Sequence, residues 1–104
     1  MDYIQIITTL ATREDAERIA RSLLEEQLAA CIQIVGPITS MYRWKGAVER
    51  ADEYQCLIKT RADRFGEIEE AIARIHPYEV PEVVAVPIPV CGGSYAKWLR
   101  EELG

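Results

Sequence analysis

The sequence predicts an α+β fold: one antiparallel sheet with helices packed on a face, and an added helix at the C-terminus. Three observations carry this. Residues 12–28 and 65–75 repeat apolar side chains every three or four positions, as amphipathic helices do. Four other segments are β-branched or alternate between apolar and polar, as strands do. The chain has 104 residues, 49% of them hydrophobic, which suits one core and one domain over 1–104.

Residues 3–10, YIQIITTL, read as the first strand. Thr12 opens the first helix, with Asp15 three residues on as a variant of the capping box. Ala16, Ile19, Ala20, Leu23, Leu24 and Leu28 are expected to face the sheet, and Arg13, Glu17, Arg21 and Glu25 the solvent. Residues 31–44 form a long strand. Its even positions Ile32, Ile34, Ile38, Tyr42 and Trp44 make one apolar face, and Gly36-Pro37 marks a bulge or bend. Lys45-Gly46 is the turn, and residues 47–60 return with Tyr54, Cys56 and Ile58 on one face. If Trp44 opposes Ala47, Cys56 faces Val35 rather than Cys31, which argues against a disulfide between those two.

Phe65, Ile68, Ile72 and Ile75 mark a second helix, which His76-Pro77 ends because a residue before proline leaves the helical region. Val84, Val86, Ile88 and Val90 alternate as the last strand. Pro87 and Pro89 lack N–H donors on the same lateral side, which makes it an edge strand. Ser94 is expected to cap a terminal helix carrying Tyr95, Trp98, Leu99 and Leu103. The order β-α-β-β-α-β-α begins with the ferredoxin-like βαββαβ arrangement. Each hairpin arm, about 13 residues at about 3.3 Å per residue, reaches about 43 Å. The body of such a chain is about 33 Å across. The β2-β3 hairpin should therefore project, and its tip residues Tyr42 and Trp44 call for cover by another subunit.

The net charge of −5 argues against nucleic acid and anionic membranes as partners. The opening MDYIQIITTLATRED has no basic n-region and no long apolar run, so a cytoplasmic location is expected. Cys31, Cys56 and Cys91 form no CxxC pair and read as free thiols, with Cys31 and Cys56 as small buried hydrophobes. No P-loop, GxSxG or HExxH motif is present, and an enzyme is not expected.

Five motifs in order, LAAC at 28–31, SMYRWKG at 40–46, EYQCLIKT at 53–60, HPYEVPE at 76–82 and YAKWL at 95–99, resemble the CutA family of divalent-cation tolerance proteins. The resemblance covers essentially the whole chain. It implies a ferredoxin-like homotrimer whose long hairpins clasp neighbouring subunits, and an association with copper and other divalent cations. It also implies an architecture similar to the PII signal-transduction trimers, which bind small ligands in clefts between subunits. Some members carry a cysteine near the end of the first strand, counted among possible metal ligands. The matching stretch here is Ile7-Thr8-Thr9-Leu10, without sulfur.

The residues themselves leave two readings of HPYEVPE. It is a stiff connector, or it is a modest metal site. In a polyproline II conformation, with three residues per turn, His76, Glu79 and Glu82 share one side. One imidazole and two carboxylates make a borderline site for Cu(II) or another divalent cation, with no obligatory cofactor. Tyr42, Arg43, Trp44, Glu53 and Lys59, with the aromatics Tyr78 and Trp98, are expected either to line a cleft between subunits or to pack an interface. The cleft would suit a small metabolite or protein partner.

Overall fold

The computed structural model describes residues 2–104. Along the chain come β1 (Tyr3–Leu10), α1 (Arg13–Glu25), β2 (Cys31–Trp44), β3 (Ala47–Arg61), a 3₁₀ turn at Ala62–Arg64, α2 (Phe65–Ile75), β4 (Val84–Ile88) and α3 (Gly93–Leu103). The strands stand in the order β2-β3-β1-β4, every neighbouring pair antiparallel. This is the ferredoxin-like order, and β4 is at an edge where Pro87 costs no ladder bond on the open side. The strand ends at Ile88, short of the expected Val90, which lies 86% exposed.

Local chemistry sets the helix ends. The Thr12 hydroxyl accepts the Asp15 N–H at 3.1 Å and so caps α1. At the other end Gln27 takes a left-handed φ of 59°. Its N–H donates to the Leu24 carbonyl, and that of Leu28 to the Leu23 carbonyl, which is the double bond of a Schellman ending. At α2 the residue before Pro77, His76, turns to φ −74°, ψ 133° and stops the helix. The expected cap of α3 shifts: Gly92, not Ser94, occupies that position, and no side chain caps it.

The core lies between the sheet and α1 and α2. Ile6 and Leu10 of β1 and Cys56 and Ile58 of β3 meet Ile19 and Leu23 of α1 and Ile68 and Ile72 of α2. All eight are fully buried. Each large aliphatic side chain so buried contributes roughly 1.5–3 kcal/mol. Leu24, expected inward, is 40% exposed because it stands off the buried stripe. The terminal helix takes the other face: Leu99 and Leu103 pack on Tyr3, which alternates with the core residue Ile4 along β1. Cys56 is buried, whereas Cys31, expected to be buried, is only half-buried; all three cysteines are free.

The hairpin projects. Residues 54–61 of β3 pair with β1, but residues 47–53 pair with β2 alone. Lys45 and Gly46 both have positive φ, 49° and 84°, the two-residue turn that matches strand twist. The molecule measures 44 × 25 × 22 Å, with the ribbon accounting for its long dimension.

The bulge changes the register and the faces. Val35 pairs with Gln55 and Ile38 with Glu53, so Gly36 and Pro37 together oppose Tyr54. Glycine is required there, since a Cβ on Gly36 would lie 2.5 Å from Tyr54 Cδ2. The extra residue moves Cys56 opposite Ile34 instead of Val35, while Cys31 faces Lys59. It also splits the expected apolar face of β2. Ile32 and Ile34 stay with the core. Ile38, Tyr42 and Trp44 pair with Glu53, Glu49 and Ala47, positions of β3 that point to the opposite face from Tyr54 and Cys56.

Candidate functional site: an acidic aromatic cleft

Where the hairpin leaves the body, the segment between α2 and β4 passes beside it and the two enclose a cavity of about 510 Å³. Tyr42 and Trp44 come from β2, Glu53 from β3, and Tyr78, Glu79 and Glu82 from the proline-bounded segment. The bulge makes this possible, because it turns Tyr42 and Trp44 onto the face that bears Glu53.

His76 holds the segment in place. Its Nδ1 accepts the Tyr78 N–H at 3.1 Å, so Nε2 carries the proton and donates to the Thr9 carbonyl at 2.8 Å. The ring is 9% exposed and meets the Tyr78 ring edge-on, centroids 4.7 Å apart. Burial holds its pKa below the usual 6.5, against a weaker upward pull from the Thr9 carbonyl bond. Tyr78 in turn donates its hydroxyl to Glu53 Oε2 at 2.7 Å. Burial, and then that bond to a carboxylate, push the phenol pKa well above the ordinary 10. One chain of contacts thus runs from the Thr9 backbone through His76 and Tyr78 to a carboxylate that is only 7% exposed.

Glu79 and Glu82 lie at the rim, both exposed. Lys45 at the hairpin turn reaches Glu79 and the Trp44 ring. Its Nζ is 3.9 Å from Glu79 Oε2 and 5.4 Å from the centre of the Trp44 ring.

The expected metal set does not converge. Both nitrogens of His76 are taken by backbone partners, and the ring faces β1, away from the exposed Glu79 and Glu82. Among the described residues no three His, Cys, Asp or Glu side chains are grouped to hold a metal ion. Of the expected cleft set, Tyr42, Trp44, Glu53 and Tyr78 line the cavity. Arg43 opposes Val48 and is exposed, Lys59 donates to Gln33 Oε1 at 2.7 Å, and Trp98 meets Tyr95 in α3 with the rings tilted by 36°. Lys45 and the Thr9 carbonyl were not foreseen. A turn lysine carries no special signal, and a backbone acceptor carries none at all.

No described helix is long and apolar enough to cross a membrane. Comparison with known proteins agrees with the fold and motifs. Residues 4–102 match the family model described as CutA1 divalent ion tolerance protein. The divalent-cation tolerance protein CutA of Thermus thermophilus is 43% identical over 99 residues, covering 95% of this chain and 96% of that protein. The Protein CutA homolog of Xenopus laevis is 43% identical, but the aligned part is 83% of this chain and 57% of the Xenopus protein. Among solved structures, the CutA of Archaeoglobus fulgidus, described as a periplasmic divalent cation tolerance protein, superposes with a TM-score of 0.95 at 36% identity. It covers 98% of this chain and 99% of its own. On this fold, these motifs and this breadth of identity, the chain belongs to the CutA family of divalent-cation tolerance proteins.

Proposed function

We propose that the chain serves divalent-cation tolerance as a homotrimer that takes Cu(II) or a similar cation as cargo at the acidic cleft. The observation that carries the reading is the carboxylate set Glu53, Glu79 and Glu82 around one cavity. Oxygen donors of this kind suit hard and borderline cations. Because no three such groups converge among the described residues of one chain, the reading completes the coordination with donors from a neighbouring subunit. His76 is then the strut that places the carboxylates. The trimer is supported by the projecting ribbon, where Met41, Tyr42, Trp44 and Val48 stand 37–69% exposed. The reading places the protein in the cytoplasm, where its three free thiols would stay reduced.

Calorimetric titration with Cu(II), Zn(II) and Mg(II) tests this, alongside light scattering coupled to size exclusion. Cu(II) should bind most tightly, following the Irving–Williams order. The double variant Glu79→Gln, Glu82→Gln should lose binding and keep the trimer. Equal Cu(II) binding by that variant, or a mass of 11.8 kDa, refutes the reading.

A second reading rests on the aromatic walls. Tyr42, Trp44 and Tyr78 are more than a bare metal ion needs, and a cavity of about 510 Å³ is of the size that holds small organic molecules. In this reading the cleft takes a metabolite, as the clefts of PII-like trimers do.

A further inference from the structure

We propose that the cleft is a receptor for an organic cation, a linear molecule bearing ammonium groups at both ends. The inference extends the second reading to a ligand class and needs no metal ion. Three features of the site support it independently.

The first is the floor. Glu53 is 7% exposed, and only its Oε2 is engaged, by the Tyr78 hydroxyl. Oε1 receives no hydrogen bond from the described residues, and Glu53 lines the cavity. A largely buried carboxylate with one oxygen left to the cavity side and to water is a ready partner for a charged donor. The second is the wall. Tyr42, Trp44 and Tyr78 present three aromatic side chains around that carboxylate, and an ammonium is attracted to a ring face within about 6 Å. The third is the protein's own stand-in. The Lys45 ammonium has settled 5.4 Å from the Trp44 ring centre and 3.9 Å from Glu79 Oε2. An alkylammonium therefore already stands, in an exposed ion pair, beside a ring and a carboxylate that line the cavity.

The acids stand at two depths, so the ligand needs a cation at each. Glu53 lies at the floor, and Glu79 and Glu82 are exposed at the rim. One ammonium passes between the rings to Glu53, and the second replaces Lys45 at the rim. A neutral molecule of equal length gains neither contact. A divalent metal ion gains the carboxylates without using the rings.

The probe is 1,4-diaminobutane, titrated at low salt with a chelator present, so that the outcome is independent of metal binding. The chain has two tryptophans, so Trp98→Phe leaves Trp44 as the reporter of the cleft. Its emission should change saturably, one ligand per cleft, while 1,4-butanediol gives no response. Glu53→Gln should weaken binding roughly tenfold, the scale of one charge-assisted contact. Lys45→Ala should tighten it several-fold by removing the internal competitor. Lys97→Ala, which makes the same change in net charge far along the chain, should leave it unchanged. If Glu53→Gln does not fold by circular dichroism, Glu82→Gln carries the acid arm, with a smaller loss expected. Equal responses to the diamine and the diol, a response that never saturates, or equal effects of Lys45→Ala and Lys97→Ala would each overturn the proposal.

Discussion

Replacing His76 by Ala should cost the fold far more than it costs any binding function. The ring closes two hydrogen bonds at once, to the Thr9 carbonyl at 2.8 Å and from the Tyr78 N–H at 3.1 Å. Thr9 is itself only 5% exposed, so water cannot readily replace the lost donor. A buried group left without its partner costs about 1–3 kcal/mol, and two groups are affected, one of them only partly buried. With the lost packing against Tyr78, the total comes to roughly 3–5 kcal/mol, a large part of a domain's usual stability. Urea denaturation at one fixed protein concentration measures it, since assembly would otherwise shift the midpoint. The same ring gives a pH signature. Its folded pKa lies below 6.5, first because burial disfavours the imidazolium; the Thr9 carbonyl, Asp15 and Glu53 pull it up and Arg18 pushes it down. As pH falls through 6.5, the unfolded chain binds this proton before the folded one does. The stabilisation is therefore complete above 6.5 and declines as pH falls from there toward the folded value. His76→Ala should lose that component of the pH dependence. A loss below about 1 kcal/mol, with the wild-type pH profile intact, would refute the assignment of His76 as the strut.

Gln27→Gly should stabilise the protein by roughly 0.5–1 kcal/mol, because it removes the left-handed penalty of a side chain at φ 59° at the end of α1; a lower melting temperature would contradict the Schellman account. Gly36→Ala should destabilise by roughly 1–3 kcal/mol, since the new methyl meets Tyr54 Cδ2 at 2.5 Å, and the cost should vanish if the bulge is not where the register places it. In native protein Ellman's reagent should reach the half-buried Cys31 and Cys91 but not Cys56, which is buried with its thiol pKa pushed up to about 11; early reaction of Cys56 would show that the core opens. Trp44→Ala should weaken the proposed trimer by about 2 kcal/mol, read as a concentration-dependent mass in light scattering, and an unaltered assembly would show that the ribbon tip is not an anchor.

Periodicity made the framework legible. Ile68 and Ile72 announce α2, YIQIITTL announces β1, and Pro87 with Pro89 announce an edge, each by a rule that acts within a few residues. The cleft was legible only in part. Tyr42, Trp44, Glu53 and Tyr78 could be gathered as a set, yet the reason they meet is a one-residue insertion at Gly36-Pro37 that reverses which way Tyr42 and Trp44 point. Alternation read straight through the bulge puts them beside Ile34. His76 shows the same limit from another side. Its spacing to Glu79 and Glu82 is compatible with a ligand set, but its partners are backbone groups of β1 and of Tyr78, which no side-chain pattern encodes.

The place of β1 in the sheet governs how the chain must come together during synthesis. It is made before either of its partners, standing between β3 and β4, and so neither of its edges is closed by a neighbour in sequence. One edge waits for residues 54–61 and the other for residues 84–88. At about 5–20 residues per second, a ribosome leaves this β-branched, half-apolar strand unpaired for seconds. Until residues 54–61 arrive, α1 is the completed helix that packs on β1, and its Thr12 cap and Schellman ending are local signals that favour it. The helix ends thus favour, by signals within a few residues, early cover for one face of a strand whose own partners arrive late.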